Sequence, residues 1–519
     1  MSQIELDPTS PTSLPLFQDA QDGQKRAARR LAGGGITAVR PEQPTRIAKS
    51  TPEPAPHPLS HDDHLDWSLV QRIRTAVAEQ LRERLEDGRH ISREDHEATA
   101  RQLASEHLAD LNAAAVQVGQ TPFSSGLQER VVLAVINSIF GMGRFEDLLA
   151  IEDAEDIFVR GHDNVIVSLA DGTHIQAPPV ADSNDELIRE LQHIAANNPN
   201  GEAKFSPADP QMDITLPDGS RLSASAWFTP YPTVTIRKHR FVDINLADLV
   251  QMGAIDQALS QFLTAAMQAG KSIVIAGVPG SGKTTLARAL LNELDPSVPL
   301  ATIESNYELH LHELRERHQN VWPAQTRSGG EGGAGAIDSR DLVRFSLRQS
   351  TAFIVVGEVR GDETLDMLDA MQVGNGSLST VHGFDPEDAV TRLANMAMRA
   401  GEHITPELAY SIVASSVDLI VSIRMLDQSV IGGRKHRFTQ AVYTLGPRTE
   451  PTGPLYATGK IFVPGPDGRA VPNPEGTLPA WIDDLANVGF DTGWLTPGRG
   501  RWERPLQLIP TRARRNEAS

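Results

Sequence analysis

The stretch Ser272-Ile273-Val274-Ile275-Ala276-Gly277-Val278-Pro279-Gly280-Ser281-Gly282-Lys283-Thr284-Thr285 decides how this chain is read. Its unbroken apolar start predicts a short buried strand, a glycine turn follows, and Leu286-Ala287-Arg288-Ala289-Leu290-Leu291 continues as a helix. Gly277, Gly282, Lys283 and Thr284 fit G-x-x-x-x-G-K-[ST], a phosphate-binding loop. Gly277, Gly280 and Gly282 let backbone N–H groups turn inward around an anion, and the helix presents its positive end to the same place. Val278, Pro279, Ser281 and Thr285 complete the expected nucleotide contacts. Lys283 reaches the β- and γ-phosphates, and the Thr284 hydroxyl holds Mg²⁺.

Hydrolysis of a bound nucleotide needs charge neutralised on the phosphates and a water held in line with the γ-phosphorus. Acids at the carboxyl ends of neighbouring strands are the place to find such groups. Phe353-Ile354-Val355-Val356-Gly357-Glu358 delivers one, and Thr302-Ile303-Glu304 another, with Glu308 four residues on. Glu358 is expected to hold a magnesium-bound water, and Glu308 or Glu304 to orient the attacking one. His382 ends the predicted strand Ser377-Leu378-Ser379-Thr380-Val381 and is a candidate sensor of the γ-phosphate. Arg340, Arg344 and Arg348 recur every four residues on one helix face, either as a solvated stripe or as a phosphate contact between subunits.

Outward from this centre, the chain alternates helix and apolar strand from about Leu246, with further strands at Leu300–Ile303, Phe353–Val356, 376–381 and Leu419–Ile423. Buried strands separated by helices imply a largely parallel sheet covered on both faces. Upstream, strands fit 156–161, 164–169, Met212–Leu216, 221–227 and 233–238, and a helix fits 185–196: an α+β module. Before it, Leu65, Leu69, Ile73, Val77 and Leu81 mark one helix. A second runs from Arg93 to Ala115 behind Ser92, with Leu103, Leu108 and Leu111 inside it, and a third spans Leu127 to Phe140. Residues 1–60 read as a disordered, proline-punctuated tail, and the glycine-rich loop 329–335 as mobile. Residues after about 445 read as an irregular appendage ending in the basic run Arg512-Ala513-Arg514-Arg515.

Composition sets limits on the rest. The 519 residues allow about three domains. A formal net charge of −19 argues against a mainly nucleic-acid-binding protein. With no cysteine there is neither a disulfide nor a thiolate metal site, and the 16 histidines form no convincing ligand cluster. No stretch approaches roughly 18 consecutive apolar residues, and no signal peptide is apparent, so a cytoplasmic chain is expected.

These residues resemble the type II/type IV secretion ATPases, and within them the CpaF/TadA branch that drives tight-adherence (Flp) pilus assembly. The resemblance runs from Gly126 to Ser422. It rests on the phosphate loop, on Thr302-Ile303-Glu304-Ser305-Asn306-Tyr307-Glu308 where the family has its acidic box, and on Val356-Gly357-Glu358-Val359-Arg360-Gly361 as the Walker B stretch. Leu365-Asp366-Met367-Leu368-Asp369-Ala370-Met371 follows that stretch, and Ser377–His382 is similar to the histidine box. Asp218-Gly219-Ser220-Arg221 and Thr235-Ile236-Arg237-Lys238 resemble the end of the family's N-terminal domain, which implies that Arg221 and Arg237 reach nucleotide at a subunit boundary. Ser305 stands where the family has aspartate, and Gly374-Asn375-Gly376 is shorter than its usual turn.

The resemblance implies a cytosolic hexameric ring, using ATP and Mg²⁺, peripheral at the inner face of the membrane through an inner-membrane platform protein. Together these readings give an α/β fold with a RecA-like P-loop nucleotide domain and a mainly parallel sheet. The expected division is a tail (1–60), a helical segment (61–144), an α+β N-terminal domain (145–240), the ATPase domain (241–445) and the C-terminal appendage (446–519). The expected function is an ATP-hydrolysing motor for assembly of a Flp/type IV-like pilus or for type II-like secretion. Two alternatives stand beside it: a conjugation-type IV secretion ATPase, and a weakly hydrolysing, nucleotide-responsive scaffold.

Overall fold

Three helices open the described part of the chain: α1 (Trp67–Leu85), α2 (Arg93–Gln117) and α3 (Ser125–Phe140). Ser92 and Ser124 cap the second and third, their hydroxyls accepting the N–H groups of Asp95 and Leu127. Leu69, Ile73, Val77 and Leu81 of the first pack with Leu103, Leu108, Val131 and Val135, whereas Leu111 lies exposed. The computed structural model describes residues 65–85, 92–198, 204–241, 243–327, 335–373, 376–401, 403–450, 452–496, 498, 502 and 504–510. The tail 1–60, loop residues 329–334, Gly374, Asn375 and the basic run Arg512–Arg515 lie outside the described residues.

After α4 (Phe145–Leu149) come β1 (Ala154–Arg160), β2 (Val165–Leu169), β3 (His174–Ala177), α5 (Asn184–Ala196), β4 (Gln211–Thr215), β5 (Arg221–Ser225) and β6 (Thr233–Arg237). The strands form one antiparallel sheet in the order β3-β2-β1-β6-β5-β4. Helix α5 covers it, burying Leu187, Leu191 and Ile194 with Ile157, Val165, Leu222 and Val234. Strand β3 went unforeseen: Asp171-Gly172 turns the chain straight back into a hairpin, and the edge strand has three of four residues out of the core.

Helices α6 (Leu246–Met252) and α7 (Gln257–Gln268) lead into β7 (Ser272–Gly277) and α8 (Lys283–Leu291). Then follow β8 (Leu300–Glu304), β9 (Val321–Gln325), α9 (Ser339–Ser346), β10 (Phe353–Val356), α10 (Thr364–Val373) and β11 (Ser377–Val381). Helices α11 (Pro386–Ala400) and α12 (Pro406–Ser416) precede β12 (Leu419–Asp427), β13 (Lys435–Gly446), β14 (Ala457–Pro464), β15 (Ala470–Pro472) and α13 (Ile482–Asn487). The nine strands run in the order β15-β14-β13-β12-β7-β11-β10-β8-β9. From β12 to β9 every pairing is parallel. The fold is thus α/β with a parallel-rich sheet. Alternation along β7 sends Ile273 and Ile275 to the core under α6, α7 and α8, and Val274 and Ala276 to the core under α9 to α12. Both faces are dry, which is why β7, β8, β10 and β11 are buried at every position.

Two parts of the sheet depart from expectation. Edge strand β9 carries Pro323, a residue tolerated in a sheet only where no ladder donor is needed. The segment after 445 is not irregular throughout. Strands β14 and β15 extend the sheet by antiparallel pairing beyond β13, and Phe462 and Leu485 enter the core beside Phe262.

Candidate active site

Strand β7 delivers the chain into a loop built on backbone freedom. Gly282 sits at φ 95° and Gly280 at φ 73°, the left-handed region that side chains disfavour. At Gly277 the limit is space, since an added Cβ would stand 2.4 Å from Ser281 Oγ. Lys283 opens α8, and its Nζ donates to the carbonyls of Gly277 and Val278 at 3.0 and 3.3 Å, 3.4 Å from His382 Nδ1. Burial pushes the Lys283 ammonium below its usual range, against the opposing pull of Glu358 and Glu308. Thr284 Oγ1 donates to Glu308 Oε2 at 3.2 Å.

The neighbouring strand ends bring acids to the same place. Glu304, at the end of β8, is 4% exposed. Its Oε2 accepts the N–H groups of Glu308 and Leu309 at 2.8 and 2.9 Å, so this carboxyl fixes the chain that carries Glu308. Burial pushes Glu304 up to about 7, partly offset by those two N–H groups. Beyond β10, Glu358 has one carboxylate oxygen 2.7 Å from His382 Nε2, while the other accepts Arg360 Nε at 2.7 Å. Thr380 Oγ1 donates to the Gly357 carbonyl at 2.7 Å, tying the end of β11 to the turn before Glu358.

A cavity of about 550 Å³ opens over these groups. Pro279 to Thr285, Glu308, Glu358 and His382 line one wall, and Arg221 and Arg237, from the ends of β5 and β6, line the other. Arg221 forks onto Asp213 at 3.0 and 2.5 Å, and Arg237 bonds Asp156 at 2.9 Å. The Asp213 hydrogen bond holds Arg221 above its usual value, with added pull from Glu308 and Glu358. For Arg237 burial works against the charge, but Asp156 and Glu308 outweigh it. Both arginines thus border the same cavity as the phosphate loop of their own chain. Phosphate-sized anions fit this lining: positive groups converge, the glycines leave room for backbone donors, and the buried Ser281 Oγ has no hydrogen-bond partner. Among the described residues no group of three or more His, Asp or Glu is placed to hold a metal unaided. A Mg²⁺ bound through one or two protein oxygens and substrate phosphates needs none.

The arginine stripe takes another course. Arg340 forms an ion pair with Asp366 on α10 at 3.1 Å, Arg344 Nε donates to the same carboxylate at 2.8 Å, and Arg348 lies beyond the end of α9. It acts as a clasp between two helices of one chain, away from the cavity lining.

Sequence reasoning missed Arg288, His239 and Arg437. Arg288, on α8, is 3% exposed and donates to the carbonyls of Phe241 and Glu308; burial lowers it to about 10. His239 lies in the same cavity wall, held neutral by burial, which brings it down to about 3. Arg437 arrives from β13. No local pattern distinguishes these three, because their partners are distant in sequence. Among the described residues no helix is long and apolar enough to cross a membrane.

A family model described as type II/IV secretion system protein matches residues 136–453, more than half of the chain. A putative conjugal transfer protein of Mycobacterium tuberculosis is 28% identical over 295 residues, covering 54% of this chain and 80% of that protein. The type IV secretion system protein PtlH of Bordetella pertussis is 34% identical over 192 residues, 36% of this chain and 55% of that protein, so only about half of PtlH is matched. Among solved structures, the ATPase DotB of Legionella pneumophila gives a TM-score of 0.44 at 18% identity, covering 59% of this chain and 81% of that one. On the match over residues 136–453, the chain belongs to the type II/IV secretion system protein family.

Proposed function

We propose that the chain is an ATP-hydrolysing motor of a secretion or pilus-assembly machine. One observation carries this reading: Lys283 and Thr284, the Glu358–His382 pair and the arginines of a second sheet all face a single cavity. Lys283 neutralises the β- and γ-phosphates, and Arg221 and Arg237 meet them from the opposite wall. Thr284 and Glu358 would hold Mg²⁺, which when bound would spread the charge of the phosphates. Glu308 orients the attacking water, and Glu304 holds Glu308 in place through its backbone. His382 joins Glu358 to the neighbourhood of Lys283 and so senses what the lysine holds.

We further infer a hexameric ring of the CpaF/TadA kind, working in the cytoplasm against a membrane-embedded platform protein. Residues 145–240 and 241–445 are then the two parts that move against each other. A second reading, a type IV secretion ATPase of conjugation type, is favoured by relatives named as a putative conjugal transfer protein and a type IV secretion system protein. Pilin and platform genes beside this one support the first, whereas relaxase and coupling-protein genes support the second. Steady-state phosphate release from Mg-ATP tests the motor itself. Wild type should turn over, and Glu358→Gln should do so about 100-fold more slowly. Equal, negligible rates would leave a nucleotide-responsive scaffold instead.

A further inference from the structure

The antiparallel sheet meets the phosphate loop through a residue that no motif marks. Arg437, near the start of β13, donates in three directions. Its Nε bonds the Gly280 carbonyl at 2.7 Å, Nη1 the Ala170 carbonyl at 3.2 Å, and Nη2 Glu155 Oε2 at 2.7 Å. Gly280 belongs to the phosphate loop, Ala170 to the turn after β2, and Glu155 to β1. One side chain therefore joins segments 157, 267 and 282 residues away in sequence. A guanidinium spreads its donors over separate nitrogens in one fixed plane and so serves three acceptors apart from one another, whereas the donors of an ammonium share one nitrogen.

The surroundings make this a seated contact. The Lys435 N–H donates to the Asp171 carbonyl at 2.9 Å. Gly172 lies so close to the β12–β13 hairpin that a Cβ there would stand 2.8 Å from Ser429 Cβ. The turn between β2 and β3 thus rests on that hairpin, and Arg437 carries the contact on to the loop. At Gly280 the backbone has no side chain to restrict it, so hydrogen bonds set the direction of the next peptide. A trans peptide points its carbonyl and its N–H opposite ways. Holding the Gly280 carbonyl therefore fixes the Ser281 N–H, which closes the turn onto the Val278 carbonyl at 3.1 Å.

We propose that Arg437 is a positioning residue: the Glu155–Arg437–Gly280 bridge ties the phosphate affinity of the loop to the seating of the antiparallel sheet. This rests on the ATP-site reading above. A ligand that favours the bridged loop must, by linkage, favour the seated sheet to the same degree.

The test uses the full chain and measures ATP affinity, KM, kcat and Tm for wild type, Arg437→Ala, Arg437→Lys, Glu155→Gln and the Glu155→Gln/Arg437→Ala double variant. Hydrogen exchange over residues 165–174 is followed with and without a slowly hydrolysed ATP analogue. Arg437→Ala should weaken ATP binding about tenfold, chiefly through KM, with Arg437→Lys only partly restoring it. The double variant should bind no more weakly than Arg437→Ala, because the two groups act through one bridge. Nucleotide should slow exchange at 165–174 in wild type and not in Arg437→Ala. If Arg437→Ala does not fold, Glu155→Gln, which keeps the arginine, should still weaken binding and blunt that response. Unchanged affinity and an unchanged exchange response, with only Tm lowered, would overturn the bridge while leaving the ATP site standing. A wild type that binds no ATP would overturn the ATP site and the bridge with it.

Discussion

The two walls of the cavity are built on different terms. On the nine-stranded sheet three charged groups in or behind the wall are buried and tied to backbone, Lys283 to two loop carbonyls, Glu304 to two N–H groups and Arg288 to two more carbonyls, while Glu358 pairs with the side chains of His382 and Arg360. On the antiparallel sheet Arg221 and Arg237 are held by the side chains Asp213 and Asp156, and the side chain of Arg237 is 58% exposed. Backbone partners at the loop ends of the parallel sheet move only with the chain that carries them. Side-chain carboxylate partners such as Asp213 and Asp156 can be traded for another anion. One wall is therefore fixed, and the other is suited to exchange its ion pairs for phosphate.

This contrast can be broken at several points. The largest effect is expected on the fixed wall, where Lys283→Ala should weaken ATP binding about 10- to 100-fold, as seen by equilibrium titration, because a charged donor to the phosphates is lost. Binding as tight as wild type would remove the loop from the site. Glu304 tests the cost of burying charge there. It releases its proton near 7 in the folded chain against a usual value near 4.5, so the folded state holds more protons between these values. Stability must then fall as pH rises through that window. Glu304→Gln should remove about 1–3 kcal/mol of that fall, read from denaturant midpoints at pH 5 and pH 8. An identical pH dependence in both proteins would contradict it.

On the other wall, Arg221→Ala combined with Arg237→Ala should slow turnover about tenfold while leaving the fold intact by circular dichroism. A loss of folding instead would mean that these arginines are built into the fold as firmly as the buried groups opposite. The smallest effect belongs outside both walls. Arg344→Ala removes one of two arginines on Asp366 at an exposed position and should change neither Tm nor turnover measurably.

The same contrast explains what could be read from the sequence. Strands β7, β10 and β11 appear there as continuous apolar runs because both their faces are covered. The loop between β7 and α8 announces itself because its demands on backbone and charge are local. By contrast, β14 exposes Thr458 and buries only Ile461 and Phe462 fully, so Ala457–Pro464 carries little pattern, and the glycines and prolines around it suggest an appendage. Edge strand β9 is concealed by Pro323. Glu304, Glu308, Glu358 and His382 could be nominated from strand ends, and the structure brings them to one place. That Glu304 bonds backbone rather than facing the cavity depends on the turn through Glu308 and Leu309, which no spacing reveals. Arg288 and Arg437 were hidden because the acceptors of each lie on other elements.

Hydrogen exchange with and without a slowly hydrolysed ATP analogue tests most directly whether both sheets wall one site. Exchange should slow at residues 278–285 and also at 221–237, across β5 and β6, while β7 and β10 stay as protected as before. Protection confined to 278–285, with 221–237 unchanged at saturating nucleotide, would contradict a second wall in the same chain.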